Sequence, residues 1–258
     1  ITDVDKLKKG DKIYKINRNK AIMAAIIGER PIAKGLNIVG AHIDSPRIDL
    51  KPNPLYEDSG LALFKTHYYG GIKKYQWVSI PLALHGVVVK EDGSKVEIKI
   101  GDNEDDPVFY ISDLLPHLGK DQMQKKMSEG ISGEQLNLMI GSIPVKNDKK
   151  DEQADEEDSK SEKGKDKVEV KKAILDLLAE KYDINGEDLV SADLEIVPAI
   201  KARDVGFDRG MLGGYGHDDR VCSYTGLQAI IDLDKPQYTA MVLLMDKEEI
   251  GSIGNTGM

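Results

Sequence analysis

Two short apolar runs, each followed by polar side chains, constrain the fold of this chain most. One run, "LNIVGAH", spans 36–42, and the other, "TAMVLLMD", spans 239–246. Continuous apolar runs of this length are typical of strands buried on both faces of a sheet. Between them, "DDRVCSYTGLQAIIDL" carries apolar residues at helical spacing and predicts a helix. These segments together predict an α/β structure.

Composition narrows the class of protein. The chain has 258 residues, of which 40% are hydrophobic, enough for one large domain or two modest ones. Its formal net charge of -9 makes nucleic acid and anionic membrane surfaces poor partners. The single cysteine, Cys222, excludes an intrachain disulfide and suits a reducing cytoplasm, which is the location we expect. The sequence contains no apolar run as long as a membrane span.

The middle of the chain has a different pattern. Residues 61–101 alternate between polar and apolar side chains, which predicts antiparallel strands. The preceding segment, 50–60, is predicted to be a loop because it contains Pro52 and Pro54. Residues 147–167 are almost wholly charged or small and cannot bury apolar surface, so we predict a mobile linker there. A functional acidic segment is the alternative.

Potential metal ligands follow both apolar runs and begin the predicted helix. His42 and Asp44 follow the first run, Asp218 stands at the helix start, and Glu248 and Glu249 follow the second run. Ligands of open α/β sheets bind beyond the carboxyl ends of the strands, so we expect these residues to converge. Such donors suit a two-zinc site that activates a bridging water. A carboxylate that binds no metal would take the proton and pass it to the leaving amine, and an adjacent glutamate pair can divide these tasks.

Each of these residues also has an ordinary structural explanation. His42 alone fits a structural histidine, and Asp44 fits a residue that caps or pins a turn. Asp218 fits a helix cap, and the Glu248–Glu249 pair fits a solvated loop. The residue types by themselves therefore leave the metal site as one hypothesis among these.

Four longer motifs favour the metal site. They are "VGAHIDSPRIDLKPNP", "YYGGIKKYQWVSIPLALHG", "KARDVGFDRGMLGGYGHDDRVCSYTGLQAI" and "LLMDKEEIGSIGNTGM". In these motifs and their order the chain closely resembles the aspartyl aminopeptidase/aminopeptidase I family of zinc exopeptidases, over most of its length. The resemblance implies a metallo-aminopeptidase that uses a water activated by two zinc ions to hydrolyse the N-terminal residue, acidic or neutral/apolar, from peptides.

The resemblance implies a role for each residue. His42, Asp218 and Glu249 match zinc ligands, and Asp218 matches the carboxylate that bridges both ions. Asp44 matches the acid that orients the histidine ligand. Glu248 matches the general base. His217, which precedes the bridging position, has no ligand role in the family.

The resemblance also implies the architecture and the assembly. A mixed-sheet α/β catalytic domain, residues 1–81 and 196–258, is interrupted by a smaller β-rich dimerisation domain, residues 82–195. Members of the family assemble from dimers into tetrahedral dodecamers. There a histidine of the inserted domain, matched by His117, completes the active site of the partner subunit. A histidine on a helix surface is the alternative for His117.

One departure from the family concerns the ligand count. The family has two further zinc ligands, an Asp and a His, toward its C-terminus, and this sequence ends at Met258 before either. We therefore expect this chain by itself to bind metal weakly and to be inactive. A non-enzymatic scaffold or assembly chain of the same fold is the alternative, although a scaffold has no need of Glu248. An enzyme with a related two-metal site that acts on a non-peptide amide is a third possibility, disfavoured by the length of the motifs.

Overall fold

The structure is a computed structural model that describes residues 6–145 and 169–257. The predicted charged linker, 147–167, lies outside the described residues. The chain divides into two compact units. The first unit consists of Ile1–Pro46, Tyr69–Ile72 and Ile200–Met258. The second unit consists of Arg47–Tyr68 and Lys73–Ala199.

The described residues form twelve strands and three α-helices. The strands are β1 Lys12–Asn17, β2 Ala21–Ile26, β3 Leu36–His42, β4 Arg47–Asp58, β5 Leu61–Tyr69, β6 Leu82–Val89, β7 Lys95–Ile100, β8 Leu138–Gly141, β9 Asp193–Pro198, β10 Arg203–Val205, β11 Met211–Gly213 and β12 Thr239–Met245. The helices are α1 Lys120–Met123, α2 Val170–Tyr182 and α3 His217–Ile231.

A four-stranded mixed sheet in the order β1-β2-β12-β3 forms the centre of the first unit. β12 runs antiparallel to β2 and parallel to β3, which confirms the predicted α/β class. Val242 and Leu244 point to the face on which Ile230 of α3 packs, together with Ile26. Burying an aliphatic side chain of this size contributes roughly 1.5–3 kcal/mol, so this core fixes α3 against the sheet. A separate two-stranded hairpin, β10-β11, precedes α3.

A six-stranded sheet in the order β7-β6-β9-β4-β5-β8 forms the second unit. The β6-β7 pair is antiparallel, as the alternating pattern of 61–101 predicts, and Gly93 of the connecting "KEDGSK" lies in the left-handed region at φ +82°. Helix α2 packs closely on β8. A Cβ atom built on Gly141 of β8 would lie only 2.5 Å from Cδ1 of Ile174 in α2. Glycine at this position therefore allows the helix to approach the strand.

The boundaries between the units differ from the predicted boundaries at 81/82 and 195/196. The structure places them at 46/47 and 199/200, with the short stretch 69–72 returned to the first unit. The reason is hydrogen bonding: β4 and β5 precede residue 82 but belong to the same sheet as β6 and β9. The dimerisation role of the β-rich unit stays a prediction.

The predicted loop at 50–60 is wrong, since β4 continues through Pro52 and Pro54 to Asp58. The residues of β4 that pair with β9 are Ile48 and Asp49, and both precede the two prolines. Proline has no amide hydrogen to donate, but its fixed φ is compatible with extended backbone. Asn53 between the prolines has φ +52°, so the strand is irregular there.

The prediction that 36–42 is buried on both faces is also wrong. β3 lies at the edge of its sheet, where it pairs with β12 alone among the described strands. Ile38 is 55% exposed and Val39 is 45% exposed. The apolar pattern identified the strand but carried no information about its position in the sheet. Within the described residues, no helix is long and apolar enough to cross a membrane.

Candidate metal centre

The carboxyl ends of β3 and β12 lie side by side. The two strands are parallel, and His42 is paired with Met245 in their register. The Ile43 amide donates to the Met245 carbonyl at 2.8 Å, which continues the ladder one residue further. Beyond it, Lys247 takes a left-handed conformation at φ +66° and starts the short 3-10 helix Glu248–Ile250. This sharp turn brings the glutamate pair back toward the end of β3.

Three segments that are far apart in sequence converge at this point. Ligand atoms of His42, Glu248 and Glu249 all lie within 4.8 Å of one another. Asp218, in the first turn of α3, places Oδ2 at 3.5 Å from Nε2 of His42. The convergence expected beyond the strand ends is therefore present in the structure, whereas the individual roles stay predictions.

The ring of His42 is oriented by a backbone group. Its Nδ1 lies 2.9 Å from the carbonyl oxygen of Asp44, and a carbonyl can only accept a hydrogen bond. Nδ1 therefore donates this bond, which leaves Nε2, directed toward Asp218, as the ring nitrogen that can bind a metal. The Asp44 carboxylate is 3.6 Å from Nδ1, beyond hydrogen-bond distance. The ring is therefore hydrogen-bonded to the carbonyl of Asp44 rather than to its carboxylate, and the role of that carboxylate in orienting a ligand stays a prediction.

The Asp44 carboxylate instead holds the glutamate turn. Asp44 is 5% exposed, and its Oδ1 accepts the Glu248 amide at 3.2 Å. Its Oδ2 accepts the Glu249 amide at 3.2 Å and the Tyr69 hydroxyl at 2.8 Å. The two amides would otherwise be unpaired at the start of the 3-10 helix. The Asp44 carboxylate therefore pins the turn at Glu248, which lies 204 residues further along the chain, and not the turn that contains Asp44.

Negative charge is crowded around the histidine. Burial, the largest influence, lowers the pKa of His42, but the bond to the Asp44 carbonyl and the surrounding carboxylates outweigh it and raise the pKa above its ordinary value. Burial also raises the pKa of Glu249, opposed by the charge of His42 and reinforced by the neighbouring carboxylates. The neighbouring carboxylates contribute to both shifts, and a divalent cation would balance their charge.

Asp218 is not a helix cap. The N-cap of α3 is Gly216, and no side chain makes a capping hydrogen bond there. The Asp218 side chain is 84% exposed, so its carboxylate faces solvent as well as His42. The capping alternative is therefore wrong, and Asp218 remains available as a ligand.

The remaining polar residues lie elsewhere. Asp246 is buried, and its Oδ2 accepts a hydrogen bond from Thr256, so it anchors the segment after β12. His217 is exposed beside Asp218. His117 is exposed in a turn of the second unit, and its role toward a partner subunit stays a prediction.

The donor set fits zinc. Imidazole nitrogen and carboxylate oxygen are preferred zinc ligands, with bonds of about 2.0–2.2 Å and tetrahedral geometry. Two ligands of one tetrahedral zinc ion therefore lie about 3.4 Å apart. The His42 Nε2 to Asp218 Oδ2 distance of 3.5 Å matches this spacing. Glu249 supplies a third donor within reach.

Known proteins resemble this chain over nearly its whole length. The family described as "Aminopeptidase I zinc metalloprotease (M18)" matches residues 2–258. The chain belongs to the M18 family of aminopeptidases. This confirms the resemblance drawn from the four motifs. A probable M18 family aminopeptidase 1 of Clostridium acetobutylicum is 54% identical over 252 residues, which are 98% of this chain and 51% of the relative.

Solved M18 structures share the fold. A crystal structure of an M18 aminopeptidase from Thermotoga maritima superposes with a TM-score of 0.84 at 50% identity, over 96% of this chain and 51% of that chain. A dodecamer of S. cerevisiae mApe1 has a TM-score of 0.64 at 22% identity, over 96% of this chain and 52% of that one, a likeness of fold alone. This M18 chain therefore spans about half the length of the relatives it matches.

Replacement of Asp44 by alanine should destabilise the first unit. Three donors, from Tyr69 and from the amides of Glu248 and Glu249, would lose their acceptor. Each unsatisfied donor costs about 1–3 kcal/mol when buried, so we expect a loss of about 2–4 kcal/mol in unfolding free energy by urea denaturation. Asp11→Ala is the control, since Asp11 accepts one amide at an exposed site. An equal loss in both variants would contradict the pinning role of Asp44.

Proposed function

We propose that the complete M18 protein is a cytoplasmic zinc aminopeptidase that removes the N-terminal residue, acidic or neutral/apolar, from peptides. The observation that carries this proposal is the convergence of His42, Asp218, Glu248 and Glu249 at the ends of two parallel strands. Nε2 of the histidine, which the backbone leaves unengaged, faces an exposed carboxylate, so the site is both suited to a cation and open to a substrate. The cytoplasmic location is supported by the single, unpaired Cys222.

His42, Asp218 and Glu249 are the proposed zinc ligands, with Asp218 shared between two zinc ions. Zinc, when bound, supplies a Lewis acid that polarises the scissile carbonyl and lowers the pKa of a water molecule. Asp218 suits the shared position because its side chain is 84% exposed while Oδ2 lies 3.5 Å from Nε2 of His42. The bond from Nδ1 to the Asp44 carbonyl holds the histidine with Nε2 directed at that carboxylate.

Glu248 is the proposed general base. Its side chain is exposed while that of Glu249 is half-buried, so the two adjacent glutamates have different surroundings. The backbone of Glu248 is fixed by the Asp44 carboxylate, which holds the side chain at the open side of the site. There it would accept a proton from the attacking water and donate it to the leaving amine.

Self-association is part of the proposal. The β-rich second unit would mediate dimers, which would assemble into a tetrahedral dodecamer, and His117 would complete the active site of a partner subunit. What supports this is the family resemblance together with the exposure of His117. A dodecameric neighbour of the same fold adds to that support.

A catalytically incomplete scaffold chain is the second candidate. The observation in its favour is that the described residues bring together three of the proposed ligands, His42, Asp218 and Glu249, fewer than two zinc ions of four ligands each require. The two candidates predict different results for the complete protein, since the enzyme would cleave peptides and the scaffold would not.

Zinc content and peptidase activity, measured on this chain and on the full-length gene product, separate the two candidates. We expect two zinc ions per subunit and N-terminal residue release in the longer protein, with less zinc and no activity in the 258-residue chain. Mass spectrometry gives the zinc content, and a panel of dipeptides gives the activity. Zinc and turnover absent from both proteins would favour the scaffold.

A further inference from the structure

Tyr69, which the sequence analysis did not assign to the site, supports the residue that pins the glutamate turn. Tyr69 is 7% exposed, and its hydroxyl donates to Oδ2 of Asp44 at 2.8 Å. The same oxygen accepts the Glu249 amide, and the other oxygen accepts the Glu248 amide. A third hydrogen bond restricts rotation of the carboxylate, so both oxygens stay directed at the turn.

Gly70, the next residue, leaves room for the Glu249 side chain. Its φ is +75°, and a Cβ atom built on it would lie 3.0 Å from both Cβ and Oε2 of Glu249. Contacts this short would force the glutamate to move by a few tenths of an ångström. Glycine at position 70 therefore allows the carboxylate to take its observed place beside His42.

We propose that Tyr69 and Gly70 are positioning residues for the Glu248–Glu249 pair. Tyr69 acts through Asp44, and Gly70 acts by admitting the Glu249 side chain. The short segment Tyr69–Ile72 belongs to the first unit although the chain on both sides of it belongs to the second. The inference rests on the proposed function, which gives the two glutamates their roles.

The first test is backbone amide exchange at residues 248 and 249 in the full-length protein after zinc has been removed with a chelator. Tyr69→Phe removes the hydroxyl and keeps the ring, so Asp44 loses one donor and can rotate away from the turn. We expect exchange at these amides to be about 10-fold faster, since a hydrogen bond to a charged group is worth about one order of magnitude in an equilibrium. Unchanged exchange would overturn the role of Tyr69.

Tyr238→Phe is the matched control. This variant also removes a tyrosine hydroxyl, which here accepts a hydrogen bond from Arg30 at 2.6 Å. Tyr238 precedes β12, whereas the glutamate turn follows the opposite end of that strand. We expect unchanged exchange at residues 248 and 249. Equal acceleration in both variants would show general loosening and would overturn the specific contact.

The second test compares Gly70→Ala with Gly60→Ala. Both glycines have φ +75°, so both alanines introduce the same backbone strain, but a Cβ at Gly60 meets nothing within 4 Å. We expect similar losses in melting temperature, with faster exchange at residue 249 and about 10-fold weaker zinc binding only in Gly70→Ala. Equal zinc affinity and equal exchange in the two variants would overturn the role of Gly70.

These readouts separate the inference from the proposed function. If the unmodified full-length protein takes up no zinc but exchange still responds to Tyr69→Phe and Gly70→Ala, the positioning contacts are correct and the proposed function fails. If zinc binds equally to the unmodified full-length protein and to all variants, with exchange unchanged, the proposed function stands and the inference is wrong.

Discussion

Glu248→Gln in the full-length protein should lower peptide turnover by about 10²–10⁴-fold, the usual contribution of a general base, while bound zinc stays unchanged. Glutamine keeps the size of the side chain but cannot take the proton from the attacking water. The Glu248 side chain is exposed and its amide is held by Asp44, so the substitution leaves the turn and Glu249 in place. The measurement is kcat on peptides with acidic and neutral N-terminal residues, with zinc content determined on the same samples.

Glu29→Gln provides the control, because Glu29 is an exposed glutamate of the same unit and the chemical change is identical. We expect wild-type turnover from this variant. Full activity in Glu248→Gln would disprove its role as the base. Loss of zinc together with activity would instead identify Glu248 as a ligand, a result that its closeness to His42 makes worth measuring.

Asp218→Ala should release both zinc ions from the full-length protein, with affinity more than about 100-fold weaker, beyond the usual effect of losing a residue that only orients a ligand. The proposed bridging carboxylate contributes to both ions, and its Oδ2 lies 3.5 Å from Nε2 of His42. Because the side chain is 84% exposed, we expect the unfolding free energy to change by only about 0.5 kcal/mol. Metal content after dialysis, together with a melting curve, checks both expectations.

The adjacent histidine supplies a matched control for this variant. His217 is exposed, lies in the same first turn of α3, and has no proposed ligand role. His217→Ala should therefore retain two zinc ions and normal turnover. Retention of two zinc ions in Asp218→Ala would contradict the bridging role, and zinc loss from both variants would point to disruption of the helix start instead.

Local sequence pattern predicted the elements that carry the site. Apolar runs predicted β3 and β12, and helical spacing predicted α3, because side chains that pack on a neighbour must recur with the period of their element. The polar residues after those runs were recognised as a candidate site because they interrupt an apolar pattern abruptly. Long motifs, rather than any single residue, then favoured a metal site over a solvated loop.

The sequence pattern was misleading where the answer depended on position in the sheet. The run 36–42 has the composition of an interior strand, yet β3 lies at an edge and Ile38 is exposed. Pro52 and Pro54 indicated a loop, yet they lie in β4, beyond its register with β9. Strand order is set by contacts between distant segments, which no local pattern records.

The sequence by itself determined the family, the α/β class and the set of candidate ligands, since these follow from residue types and their order along the chain. Only the tertiary structure decided how those residues cooperate. It showed that the carbonyl of Asp44 orients His42 while its carboxylate holds the glutamate turn, and that Tyr69 supports that carboxylate. Hydrogen bonds between residues 25 to 205 positions apart depend on how the strands are packed, and packing is a property of the folded chain.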